Sequence, residues 1–147
     1  MTERKIATTA TVHASAERIF ALLADPSKHP LLDGSGTVLA TRGEIPERLE
    51  LGSTFGMDMK MGMPYRVTNR VVEYEPGRLI AWRHFVGHRW RWELNPIDAD
   101  STEVTETFDW STTSIGPLLV MMGFPRRDLK GMVATLVRLD TILAEQR

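Results

Sequence analysis

The sequence predicts an α+β fold: a curved seven-stranded antiparallel sheet wrapped around one long C-terminal helix, with two short helices after the first strand. Three observations lead there. Between residues 37 and 110 apolar and polar residues alternate with period two, interrupted by turn signals. After Pro125 the period becomes helical, with an apolar stripe of Leu129, Met132, Val133, Leu136, Val137 and Leu143. A meander of that length has one face it must bury, and one long amphipathic helix can cover it.

The elements follow in order. KIATTATVH (5–13) is rich in β-branched residues and reads as the first strand. Ser15 is placed to N-cap AERIFALLAD, whose Ile19, Leu22 and Leu23 fall at helical spacing, and Asp25-Pro26 stops that helix. SKHPLLDGSG (27–36) holds one further helical turn and a loop. TVLATR (37–42) is a strand, and 43–53 a loop. FGMDMKMGM (55–63) puts Phe55, Met57, Met59, Met61 and Met63 on one face, with Asp58 and Lys60 on the other. YRVTNRVVEY (65–74), RLIAWRHF (78–85), HRWRWEL (88–94) and TEVTETFDW (102–110) complete the meander. Pro76-Gly77 and Val86-Gly87 mark tight turns, and NPIDADS (95–101) a longer polar connection. PLLVMM (117–122) reads as a short helix. Gly123-Phe124-Pro125 separates it from the last helix, where Gly131 is a weak point costing about 1 kcal/mol against Ala.

Composition narrows the function classes. The chain has 147 residues, enough for a single domain over 1–147 with a real core. It is 25% charged with a net charge of −1, a folded profile without the cationic surplus that nucleic-acid backbones require. The absence of cysteine excludes disulfides and thiolate zinc sites. The N-terminus lacks a signal-like apolar run and no stretch approaches a membrane span, so a cytoplasmic location is expected.

The order of AERIFALLADPSKHP after the first strand, VVEYEPGRLIAW, HRWRWELNP with TEVTETFDW, and the closing helix resembles the helix-grip fold of the SRPBCC superfamily. That superfamily includes START lipid-binding domains and the major birch-pollen allergen, and the likeness is closest to its polyketide cyclase/dehydrase-like branch. The resemblance spans nearly the whole chain. It implies an apolar cavity between sheet and C-terminal helix. It does not imply a chemistry, because the superfamily contains carriers, enzymes and chaperone regulators with no shared catalytic signature.

Strand pairing sets the expected faces. A two-residue turn at Val86-Gly87 pairs Phe85 with His88, Arg83 with Trp90, Ala81 with Trp92 and Leu79 with Leu94. The same register carried onward sets Leu94 near Val104, Trp92 near Glu106, Trp90 near Phe108 and His88 near Trp110. The inner face then carries Leu79, Ala81, Arg83, Phe85, Trp90, Trp92, Leu94, Val104, Phe108 and Trp110, with Glu106 among them. Arg89, Arg91, Glu93, Glu103, Thr105, Thr107 and Asp109 face water, as does Trp82, and Trp110 lies near the sheet edge. The registers implied on the two sides of 65–74 differ by one residue, and a β-bulge within that strand reconciles them.

Several residues are candidates for chemistry. Glu106, a carboxyl on an apolar face, loses hydration and suits a general acid or base; the alternative is an ion pair with Arg83. Arg83 can hold an anionic ligand group, or serve only as that partner. Met57, Met59, Met61, Trp90, Trp92, Phe108, Trp110, Met132 and Leu136 are candidate ligand-binding residues, or core filling. His84 and His88 are expected on opposite faces, with neither His13 nor His29 near, so no metal site is expected, nor any other cofactor. PLLVMM is a gate over the cavity or a packed helix. The leading expectation is binding of a small apolar or aromatic molecule, with no nucleic acid as partner and no membrane span. The alternatives are a cyclase/dehydratase-type enzyme using Glu106 for proton transfer, and an interaction module with a filled core.

Overall fold

The computed structural model describes residues 4–35, 38–42, 46–61, 63–84, 87–111, 113, 115–121 and 123–145. Its elements are β1 (Lys5–Val12), α1 (Ala16–Leu23), a 3-10 turn (Pro26–Lys28), α2 (His29–Leu32), β2 (Val38–Arg42), β3 (Thr54–Met61), β4 (Met63–Glu75), β5 (Leu79–His84), β6 (Arg89–Asp98), β7 (Ser101–Asp109), α3 (Gly116–Met121) and α4 (Phe124–Glu145). The seven strands form one sheet in the order β1-β7-β6-β5-β4-β3-β2, antiparallel throughout. The α+β helix-grip architecture expected from the sequence is the observed one.

Local chemistry explains the boundaries. Ser15 Oγ accepts from the Arg18 amide and caps α1, whose Ile19, Phe20, Leu22 and Leu23 are buried. Asp25 then caps the 3-10 turn through the Ser27 amide. Between β4 and β5, Pro76 leads into Gly77 at φ 76°, and the Arg78 amide returns to the Glu75 carbonyl at 3.0 Å. The expected loop over 95–101 is shorter than the sequence suggested. β6 runs on to Asp98 and β7 starts at Ser101, with a register shift between Pro96 and Asp98 that accommodates the proline.

The β-bulge falls at Val72. Val71 pairs with Trp82 and Glu73 with Ala81, so the intervening residue has no partner of its own. Val67, Asn69 and Val71 are buried on one side of it, and beyond it Tyr74 turns to the same core and packs on Phe20.

The β5–β6 hairpin corrects the expected register. The His84 amide bonds the His88 carbonyl at 2.8 Å, which makes residues 85–87 a three-residue connection. Gly87, at φ 108°, takes a backbone conformation that a side chain would resist. Leu79 therefore pairs with Glu93, Ile80 with Trp92, Ala81 with Arg91, Trp82 with Trp90 and Arg83 with Arg89. One added loop residue turns every β5 side chain over. Arg83 faces outward, and Trp82 turns in. The expected Phe85–His88 pair lies outside the described residues. The β6–β7 register is the expected one, with Trp90 opposite Phe108, Trp92 opposite Glu106 and Leu94 opposite Val104. On the outer face Arg91 Nε meets Glu73 Oε2 at 3.1 Å and its Nη1 meets Glu93.

α4 lies against β1, β7, α2 and α3. Its buried positions are Met132, Thr135, Leu136, Leu139, Ile142 and Leu143, at i, i+3, i+4 and i+7 spacing. This rotates the stripe from the expected one, since Val133 and Val137 are exposed. Burying each of these large apolar side chains contributes about 1.5–3 kcal/mol, which holds the helix on the sheet without help from its propensity.

Candidate functional site

Between the sheet and α4 lies a cavity of about 140 Å³. Both the sheet and the helices contribute to its lining. β3 brings Phe55, Met57 and Met59, and β4 brings Val67 and Asn69. β5 contributes Trp82 and His84, while β6 and β7 supply Trp90, Trp92 and Glu106. From the helical side come His29, Leu32, Asp33 and Ser35 around α2, and Asp128, Met132 and Thr135 of α4. A cavity of about 150 Å³ with an apolar lining admits benzene, so this space matches one aromatic ring.

Ring packing fixes the aromatic wall. His29 stacks on Trp82 with centroids 4.8 Å apart, Phe55 meets Trp82 edge-on at 5.5 Å, and Trp90 packs on Phe108 at 4.8 Å. His29 Nε2 donates to the Leu23 carbonyl at 2.8 Å, which anchors the ring and sets its tautomer. Burial lowers the His29 pKa to about 4, against the smaller opposing effects of the Leu23 carbonyl and Asp25.

The polar end of the cavity is acidic. Glu106 is 5% exposed, and burial, reinforced by Asp33 and Asp128, raises its pKa well above the usual carboxylate range. Burial likewise pushes Asp128 up to about 7, with Arg127 opposing. Asp33 is held by the loop: its Oδ1 accepts from the Ser35 amide and hydroxyl, and its Oδ2 from the Val38 amide. Among the described residues no lysine or arginine lines this space. Two of the lining residues carry a buried polar atom, Glu106 Oε2 and Trp92 Nε1, with no hydrogen-bond partner in the protein.

The candidate residues from the sequence divide into groups. Met57, Met59, Trp90, Trp92, Met132 and Glu106 line the cavity. Phe108 and Trp110 lie behind it in a cluster with Met132, and Leu136 sits in the main core. The Met61 side chain is outside the described residues. Arg83 does not meet Glu106: it is exposed, and its Nε donates to the Gly87 carbonyl at 3.3 Å. His84 and His88, expected on opposite faces, stack at 4.4 Å because the longer turn sets them opposite each other. Burial lowers both, His84 to about 4 and His88 to about 3, with His84 adding to the effect on His88. Among the described residues no three His, Asp or Glu converge as a metal site.

Sequence reasoning missed His29, Asp33, Trp82, His84 and Asp128 as wall residues. Asp128 did carry a signal. It precedes Met132 by four residues and Thr135 by seven, so it shares their helix face.

A sheet gripping a long helix around a partly polar cavity defines a ligand-binding fold. The chain belongs to the polyketide cyclase / dehydrase and lipid transport family, whose model matches residues 3–142. The uncharacterized protein Rv0088 of Mycobacterium tuberculosis is 41% identical over 97% of this chain, which spans 66% of that protein. Solved structures share the fold at lower identity. A Mycobacterium smegmatis protein, Ms6760, superposes with a TM-score of 0.74 at 14% identity, covering 98% of this chain and 93% of its own. The ZhuI aromatase/cyclase of a Streptomyces species superposes at 0.69 and 19%, covering 93% of each chain. Norcoclaurine synthase of Thalictrum flavum, solved with dopamine and hydroxybenzaldehyde, does so at 0.69 and 18%, covering 97% of this chain and 87% of its own. No described helix is long and apolar enough to cross a membrane.

Proposed function

We propose that this chain binds a small, largely aromatic molecule in the cavity between sheet and α4. The observation that carries this reading is the lining itself: Trp82, Trp90, Trp92, Met57, Met59 and Met132 surround space sized for one ring, and the lining residues Trp92 and Glu106 each carry an unpaired buried polar atom. Apolar walls with a few placed polar groups are the usual composition of small-molecule sites. A filled-core interaction module accounts for neither the space nor the unpaired atoms. The test is titration with acetophenone, followed by tryptophan fluorescence. Wild type and Trp110→Phe should both respond, because Trp110 is not in the wall. Trp92→Phe should lose much of the response. No fluorescence change and no saturation transfer to the probe by NMR would count against the site.

A second reading is supported by the acids. Burial raises the Glu106 pKa well above the ordinary carboxylate range and that of Asp128 to about 7, so the cavity holds two carboxyls whose protonated forms are favoured over those of solvated acids. Such a pair suits a cyclase- or dehydratase-type proton transfer on the bound molecule. Glu106→Gln would then abolish turnover while binding persists.

A further inference from the structure

Trp92 and Glu106 occupy directly opposed positions on β6 and β7. Opposed residues of an antiparallel pair have Cβ atoms about 4.5–5.5 Å apart, so their polar tips can reach one common atom. Both residues are among those lining the cavity, at 4% and 5% exposure, and their buried atoms Trp92 Nε1 and Glu106 Oε2 both lack a partner in the protein. An indole N–H can only donate. Burial raises the Glu106 pKa and so favours its protonated form, which can donate as well. Leaving a buried donor unpaired is costly, so two of them side by side specify an acceptor.

The surroundings narrow the acceptor. Asp33 and Asp128 stand on the same wall system without a lysine or arginine among the described lining residues, which disfavours an anionic ligand. An ammonium would leave the indole N–H unpaired. What remains is a neutral oxygen with two free lone pairs, attached to an apolar body.

We infer that Trp92 and Glu106 form a two-donor clamp for the carbonyl oxygen of a neutral aromatic ketone or aldehyde, whose ring lies among Trp82, Trp90 and Met132. This rests on the reading of the cavity as a ligand site, and it adds the chemical class of the ligand and the two residues that select it.

The test uses four probes on one skeleton: acetophenone, ethylbenzene, benzoate and 1-phenylethylamine. Their affinities are measured by calorimetry on the full chain, and the infrared carbonyl stretch of bound acetophenone is recorded. Two hydrogen bonds at ordinary net strength favour acetophenone over ethylbenzene by about tenfold or more, and the stretch moves to lower frequency. Benzoate and the amine bind more weakly than the ketone. Trp92→Phe should reduce the preference for ketone over hydrocarbon and reverse part of the frequency shift. Glu106→Gln keeps an N–H donor and should retain most of the preference, whereas Glu106→Leu should lose it. Equal binding of ethylbenzene and acetophenone, or an unshifted stretch, refutes the clamp and leaves the cavity reading standing. Tighter binding of the amine refutes the clamp in favour of an ionised Glu106. Failure of all four probes to bind refutes both.

Discussion

A carboxyl group stays protonated in a folded protein only when its charged form has lost water without gaining a cation. Asp128 shows this at the cavity edge: burial holds its pKa at about 7, and Arg127 offsets only part of the effect. The unfolded chain releases that proton near the ordinary value of 3.8. The folded state therefore binds the extra proton between about pH 4 and pH 7, and stability falls as pH rises through that window. Above it the penalty is constant. Asp128→Asn keeps the shape and removes the titration. Its stability relative to wild type should improve from about pH 4 to about pH 8, by about 1–2 kcal/mol after allowing for solvent at a partly exposed site. Chemical denaturation at the two pH values measures this, and a pH-independent difference would mean that the carboxyl is solvated.

At the scale of elements, the loop after α2 meets α4 through two glycines. A side chain at Gly34 would lie 2.5 Å from the Ala134 carbonyl carbon, and one at Gly131 would lie 2.7 Å from Ser35 Cβ. The Gly34 amide donates to Thr135 Oγ1 at 2.9 Å across this contact. The helix thus accepts a poor helix former so that the loop carrying Asp33 and Ser35 can reach the cavity. Gly131→Ala should gain helix propensity yet lose about 1–3 kcal/mol overall through overpacking. Ser35→Gly in the same chain should recover much of the loss, and additive effects in that double-mutant cycle would dismiss the contact. The sequence marked Gly131 as a weak point but not the reason, because its neighbour lies nearly a hundred positions away. The same distinction governs the strands. HRWRWEL has apolar residues at one parity and charges at the other, so its faces were legible. β5 has Leu79, Ile80, Ala81 and Trp82 in succession, so its faces depended on turn length alone, and one extra residue reversed them. That reversal hid Trp82 and His84 and misplaced Arg83. The need for a bulge in β4 could be read because both flanking strands constrained it; its place at Val72 could not.

The whole molecule combines two opposed sets of buried titratable groups. His29, His84 and His88 are held neutral by burial, with pKa values lowered from 6.5 to about 4, 4 and 3. Unfolding lets them take up protons, so their contribution is intact above pH 6.5 and is lost as pH falls toward 4. Glu106 and Asp128 act in the opposite sense, since unfolding lets them release protons and weakens the fold as pH rises. Below pH 6.5 three histidines outweigh two carboxyls, and above it only the carboxyls remain. With a net charge of only −1, general charge repulsion adds little near neutrality. The thermal unfolding midpoint should therefore pass through a maximum at about pH 6–7 and decline on both sides. Asp128→Asn should flatten the alkaline limb and leave the fall caused by the histidines in place. A midpoint that climbs steadily to about pH 8 would show that the carboxyls are ionised in the folded state, and with them the acidic end of the cavity would lose its proton donor.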